Sequence, residues 1–336
     1  MRLSIGIGRY DRTQALLDGR IGIDGIEATF ESPSPEELFV RAFDRGEFDV
    51  AELSFSNYLY LASTGRCDYV GLPIFPSRMF RHSAIFIRSD RGIQGPRDLA
   101  GRMIGVREFS MTAGLVARGI LEDEYGFSTA SAHWVYGRAE ADDKPPTIRM
   151  SPRGITAIPI GSDENLSTLL AEGRIDALIA YKPPSCFLDG MSNVRRLFPD
   201  HEAVERDYYS RTGIFPIMHL LAVKRTLADA RPELCGLLCN AFDSAKNEAY
   251  HALEQYSTLA ASLPWTPEHL RKTRALMGED FWSYGIEPNQ AAIAAVIRYS
   301  ARQGLSARPL SINEIFEPST LDWKPSHQTP PSHSGR

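Results

Sequence analysis

The chain has 336 residues, 43% hydrophobic and 24% charged, which is globular composition with length for one large domain or two lobes. A net charge of −5 at pH 7 argues against nucleic acid as the main partner, and no apolar run approaches membrane-spanning length. The N-terminus runs into strand-like sequence without an apolar signal segment, so a cytoplasmic protein with reduced thiols is expected.

Residues 3–7 alternate and carry branched side chains, which predicts a first strand, and 19–25 is turn-rich. A second strand is expected at 26–30. Ser34 then stands as an N-cap before Pro35 and two glutamates. Leu38, Phe39 and Ala42 give the helix that follows an apolar face, and Gly46 ends it. A short buried strand over 48–53 completes a β-β-α-β opening whose helical crossover implies a largely parallel sheet. Glu52, Ser54 and Ser56 fall at the carboxyl end of that strand, where α/β proteins place ligands. Ser54 or Ser56 can also cap the next helix, to about residue 63, and a helix N-terminus favours an anion.

A strand at 69–72 leads into PIFPSRMFRHS, residues 73–83, expected to be a loop stiffened by two prolines. It brings Arg78, Arg81 and His82 within five positions, flanked by Phe75 and Phe80. Guanidinium forks match carboxylates and aromatic rings cover a flat apolar body, so the stretch suits a small aromatic acid. The alternative is a solvated loop whose arginines cover apolar surface. Strands at 84–88 and 103–106 flank a polar crossover with a short helix at 96–99. Residues 107–113 then form a second strand-to-helix junction, with Thr112 at the start of a helix to about residue 125. Residues 137–153 are polar and proline-containing and read as a loop.

Residues 171–180, AEGRIDALIA, echo 44–53, DRGEFDVAEL: a helix end, Gly, two residues, Asp and an apolar strand. The echo suggests two similar α/β lobes. It delivers Tyr181 and Lys182 where the first copy delivers Glu52 to Ser56, so facing lobes would line one cleft with both. A strand at 194–197 and a helix at 201–212 precede SRTGIFPIMH, residues 210–219. That stretch carries Phe215 and His219 into a strand at 220–223. Helices follow from Pro232 to about 262, near 267–278 and near 288–303, and the tail from 326 is expected to be disordered. Cys67 and Cys186 are scattered; Cys235 and Cys239, one helical turn apart, read as buried small hydrophobes.

Two of these stretches, PIFPSRMFRHSAIFI and SRTGIFPIMH, with AELSFSNY and REFSMTAG, resemble the 4,5-dihydroxyphthalate decarboxylase family over about residues 1–324. The layout also resembles type II periplasmic solute-binding proteins: an α/β fold of two lobes with an interlobe cleft. On that reading lobe 1 takes residues 1–95 and 201–325, and lobe 2 takes 96–200. The resemblance implies a cytoplasmic carboxy-lyase acting non-oxidatively on a hydroxylated aromatic dicarboxylate in phthalate degradation. Such a reaction needs an acid over the ring carbon that bears the leaving carboxylate, an acceptor at the phenol and a clamp for the second carboxylate. The ring itself serves as electron sink, and no nucleotide, flavin or pyridoxal motif is present, so no cofactor is expected.

Arg78 and Arg81 are the candidate carboxylate clamp. His82 is the first candidate proton donor; His219 is the second, or the phenolic acceptor. Glu52 is placed to orient a histidine or accept from a hydroxyl, Ser54, Thr112 and Lys182 to contact oxygens, and Phe215 to line the site if it faces the cleft. Glu52, His82 and His219 would also make a two-histidine, one-carboxylate metal set, but their dispersed spacing speaks against one and no metal is expected. The expected partner is the small aromatic carboxylate, with no nucleic acid or membrane, and the long C-terminal helices offer surface for a homo-oligomer. The competing functions are a non-catalytic binding protein for a small organic anion and a thiamine-pyrimidine synthase-like protein. The latter would need a cysteine-rich motif that four scattered cysteines do not supply.

Overall fold

Strand–helix–strand units build two separate sheets in a computed structural model that describes residues 1–143 and 152–326. The strands are β1 (Arg2–Gly6), β2 (Glu27–Glu31), β3 (Val50–Ser54), β4 (Tyr69–Arg78), β5 (Ile85–Arg88), β6 (Met103–Val106), β7 (His133–Tyr136), β8 (Ala157–Pro159), β9 (Ala177–Ile179), β10 (Val194–Arg196) and β11 (Ile217–Lys224). The first sheet has the order β2-β1-β3-β11-β4 and the second β10-β5-β9-β6-β7-β8. Parallel pairs join β1 to β2 and β3, and β6 to β7 and β9, while β11 and β5 run antiparallel to their neighbours.

The α-helices are α1 (Asp11–Leu17), α2 (Pro35–Phe43), α3 (Phe55–Ser63), α4 (Thr112–Tyr125), α5 (Leu166–Ala171), α6 (Ser185–Leu188), α7 (His201–Thr212), α8 (Arg225–Ala230), α9 (Pro232–Leu253), α10 (Thr266–Met277), α11 (Gln290–Arg302) and α12 (Ile312–Ile315). Ser34 caps α2 as expected, its hydroxyl accepting from Glu37 N.

The repeated motif has one physical job in both copies. Gly46 and Gly173 take the left-handed conformation, with φ of +57° and +73°, which reverses the chain after a helix. Asp49 then accepts the backbone N–H of Ser4 at 2.9 Å, and Asp176 accepts that of Met103 at 2.9 Å. Each aspartate thus ties its strand to the parallel neighbour, β3 to β1 and β9 to β6. Both strands consequently deliver their carboxyl ends toward the space between the sheets.

Several expectations need correction. The opening is β-α-β-α-β, because residues 11–17 form α1 before the turn-rich stretch. Residues 73–78 are not a loop but the continuation of β4. The chain crosses to the second sheet between residues 78 and 85, ahead of the expected boundary at 95, because β5 pairs with β9 and β10. It returns between 196 and 217. The long helix from Pro232 stops at Leu253. Of the expected 137–153 loop, residues 144–151 lie outside the described residues, as does all of the expected disordered tail except Ser326.

One continuous apolar cluster takes side chains from both sheets, including Ile5 and Val50 from the first and Ile104 and Ile179 from the second. All four cysteines are free and buried. No helix among the described residues is long and apolar enough to cross a membrane.

Candidate active site

Pairing of β3 with β11 sets His219 opposite Ser54 and Leu221 opposite Glu52, and His219 also lies opposite Ser77 of β4. Residues two apart on a strand share a face, so Glu52 and Ser54 point the same way and Glu52 is the diagonal neighbour of His219. His219 Nδ1 lies 2.6 Å from Glu52 Oε1. Glu52 is 1% exposed, and its remaining needs are met by Tyr10 Oη, which donates to Oε1 at 2.7 Å, and Gly8 N, which donates to Oε2 at 2.7 Å. Burial alone would push this carboxyl up. The hydrogen bond and charge of His219, with the Tyr10 and Gly8 bonds, outweigh it and hold Glu52 below its ordinary value. Since Glu52 is the ionised acceptor, the His219 proton sits on Nδ1 and Nε2 remains as the exchanging nitrogen.

His219, Ser54 and Ser77 line a cavity of about 430 Å³ between the two sheets, within the range of small-ligand sites. Arg81, Asn57 and Met218 belong to the same wall; Glu108, Thr112, Tyr181 and Lys182 form the wall of the second lobe. The first turns of α2, α3 and α4 all reach the cavity, through Pro35 and Glu36, Asn57, and Thr112 and Ala113. Three helix N-termini on one small space favour an anion there.

Arg81 is 7% exposed, donates Nε to Met218 Sδ at 3.1 Å, and has no carboxylate within ion-pair distance among the described residues. Burial lowers its pKa to about 10, opposed by the more distant charge of Glu205. A buried cation without a counter-ion is costly unless a ligand supplies one. Asn57, 4% exposed, leaves Oδ1 without a hydrogen-bond partner among the described residues.

Thr112 lines the cavity and also joins the lobes. Its Oγ1 lies 2.9 Å from Ser54 Oγ and accepts Ser56 N at 3.1 Å, so it ties α4 of the second lobe to the start of α3 in the first. Ser54 occupies the N-cap position of α3, but its side chain bonds Thr112 instead of capping. A second tie crosses the mouth, where Arg107 Nη1 pairs with Glu36 Oε1 at 2.9 Å. Lys182 is half-exposed at the rim, 3.6 Å from Asp143.

Three candidates lie elsewhere. Arg78 follows Ser77 on β4 and so points to the opposite face. There its guanidinium donates to Phe215 O at 2.9 Å, Ser283 O at 2.7 Å and Asn289 Oδ1. Phe215 lines that other groove with Arg78 and stacks on Phe80, ring centroids 4.8 Å apart. His82 is 1% exposed among Tyr125, Phe198 and Tyr208, and both ring nitrogens lack partners among the described residues. Burial pushes its pKa down to about 4, so it is a neutral packing ring. Glu52, His82 and His219 therefore do not converge, and no group of three or more His, Cys, Asp or Glu among the described residues is placed to hold a metal.

Tyr10, Ser77, Asn57 and Glu108 were missed. Tyr10 lies just past the carboxyl end of β1, and the rule that singled out Glu52 and Ser54 would have flagged it. Ser77 needed the strand assignment for residues 73–78.

No family model matches the chain. Among solved structures, the periplasmic sulfonate-binding protein SsuA from Methylobacillus flagellatus KT, described as a putative transporter component, aligns with a TM-score of 0.55 at 13% identity. The alignment covers 96% of this chain and 92% of that one. The desulfurization enzyme DSZB aligns with a TM-score of 0.50 at 15% identity, covering 95% and 97%. These likenesses give the fold: two α/β lobes of the periplasmic-binding-protein type. A protein of Pseudomonas putida named 4,5-dihydroxyphthalate decarboxylase is 39% identical over 210 residues, covering 62% of this chain and 81% of its own. Its namesake from Comamonas testosteroni is 40% identical over 323 residues, 96% of this chain and 98% of the relative. An identity of that size, sustained along nearly the whole of both chains, places this chain in the 4,5-dihydroxyphthalate decarboxylase family of carboxy-lyases.

Proposed function

We propose that the chain decarboxylates 4,5-dihydroxyphthalate or a close hydroxylated aromatic dicarboxylate, and that the cavity between the lobes is where the ring is protonated. The observation that carries this reading is the Glu52–His219 pair at 2.6 Å with His219 lining a cavity shared with Arg81. A histidine held through Nδ1 by a carboxylate keeps Nε2 for proton transfer, and histidine is the commonest general acid.

In this mechanism Arg81 takes the carboxylate that is retained. The phenol para to the leaving carboxylate gives its proton to solvent, and its electrons flow through the ring to the carbon bearing that carboxylate. That carbon takes the Nε2 proton of His219, which forms the new C–H bond and a non-aromatic dienone. The carbon–carboxylate bond then breaks, its electron pair restores the aromatic ring, and carbon dioxide leaves. Solvent returns one proton to His219 and one to the phenolate oxygen of the product. Asn57 Oδ1 and Ser77 are hydrogen-bond partners for the ring hydroxyls, and Lys182 neutralises charge at the rim.

Exchange of His219 for Gln is expected to lower carbon dioxide release by about 10²–10⁴-fold while substrate affinity, read by calorimetry, changes little. In heavy water the wild-type product should carry one ring deuterium at the vacated carbon. His219→Gln with near wild-type turnover would remove this residue as the acid.

A further inference from the structure

Beside the Glu52–His219 pair stands a second contact that the reading above does not use. Tyr10 Oη donates to the same Glu52 oxygen that faces His219, at 2.7 Å. Tyr10 does not line the cavity, and its position is heavily determined. Its backbone N donates to Thr13 Oγ1 at 3.0 Å, and Thr13, fully buried, donates in turn to Gly8 O at 2.9 Å. Arg12 lies over the Tyr10 ring, 4.2 Å from its centroid, and over Trp282 at 3.8 Å. Gly8 completes the arrangement: a Cβ there would stand 2.6 Å from the Tyr10 ring, so only glycine allows both its N–H bond to Glu52 and the ring's approach.

We infer that Tyr10 is a positioning residue that sets the protonation range of the Glu52–His219 pair by sharing the Glu52 oxygen with the imidazole. The inference rests on His219 acting in the cavity only for its consequence in catalysis; the Tyr10–Glu52 coupling stands on the geometry. Charged and titratable groups around the pair are Tyr10 and Arg12 on the β1 side, and Arg81, Glu36, Glu108, Tyr181 and Lys182 around the cavity. Phe39 of α2 meets the His219 ring edge-on and contributes no charge.

The sign follows from which states carry an exposed negative oxygen. A donor to Glu52 favours its ionised form over its protonated form, so losing the donor raises the pH at which Glu52 takes a proton. The same donor stabilises the carboxylate most when His219 is neutral and offers no positive charge. Its loss therefore also raises the pH at which the imidazolium gives up its proton. Both limbs of the pair's titration therefore move upward, each limb belonging to the coupled pair.

The test is Tyr10→Phe, which keeps the ring and its contact with Arg12. The His219 imidazole is followed by nitrogen-15 NMR against pH, alongside the pH profile of kcat/KM for decarboxylation of 4,5-dihydroxyphthalate. The expected result is an upward displacement of about one pH unit in both readouts, the size of one hydrogen bond to a charged group. An unmoved His219 titration overturns the inference. A titration that moves while the kcat/KM profile stays in place supports the coupling and instead overturns His219 as the acid of the reaction.

Discussion

Two arginines three positions apart in sequence meet opposite fates. Arg78 is consumed by backbone carbonyls and Asn289 and pins β4 to the C-terminal segment. Arg81 reaches the cavity and carries a buried charge that no carboxylate among the described residues balances. Sequence could register that both were basic; it could not sort them without knowing that residues 73–78 are a strand with alternating faces. The same holds for the histidines. His82 and His219 look equally suited by type, and only burial among aromatic rings separates the neutral packing ring from the one paired with Glu52. The residue most sharply tested by this contrast is Arg81, since a cation held for a ligand costs the free protein stability. Arg81→Met is expected to raise the urea midpoint, by about 1–2 kcal/mol of stability, while abolishing measurable binding of 4,5-dihydroxyphthalate. A variant that loses stability and keeps its affinity would mean that Arg81 serves the fold.

At the scale of elements, local chemistry was most legible where a backbone rule demanded a residue. Ser34 with Pro35 marked the start of α2, and the Gly–Asp echo marked β3 and β9 because each needs a left-handed turn and a side-chain tie to its neighbour. Elements without such a signature were missed, among them the short helix α1 and the exposed edge strand β8. Helix packing left no readable trace either. α11 lies against α4, and Gly119 in the middle of α4 lets the Tyr299 ring approach so closely that a Cβ would stand 2.4 Å from it. Nothing about Gly119 in sequence distinguishes it from a weak point in a helix. Gly119→Ala should gain up to about 1 kcal/mol of helix propensity and lose about 1–3 kcal/mol to overpacking. A net fall in the urea midpoint is therefore expected. A rise would show that Tyr299 repacks at little cost.

For the molecule as a whole, the issue is whether two lobes that share a fold with binding proteins behave as two bodies. The chain crosses between the sheets twice, Thr112 and Arg107 tie the lobes at the cavity, and one apolar cluster spans both. A further link lies in the core. Arg118 of α4 is fully buried, stacks on Phe109 at 3.9 Å and donates Nε to Gln303 Oε1 at 2.7 Å, while Gln303 Nε2 donates to Leu115 O at 3.0 Å. Gln303 follows directly on α11, which also packs on α3 of the first lobe. Removing its amide leaves the buried Arg118 Nε without an acceptor, while Nη2 keeps its bond to Phe109 O, at a cost of about 2–3 kcal/mol. If the lobes form one cooperative unit, that cost must appear in both. Hydrogen exchange read by mass spectrometry through a urea series follows the amides of β1 and β6 separately. In the wild type the two sets are expected to lose protection at one urea concentration. In Gln303→Ala both should move together to a lower one. Should the β6 amides open early while β1 stays protected, the lobes unfold independently and the α4–α11 contact is a local one. The expected joint shift would mean that the cavity walls are held in register by the whole core, a useful condition for delivering a proton to one ring carbon.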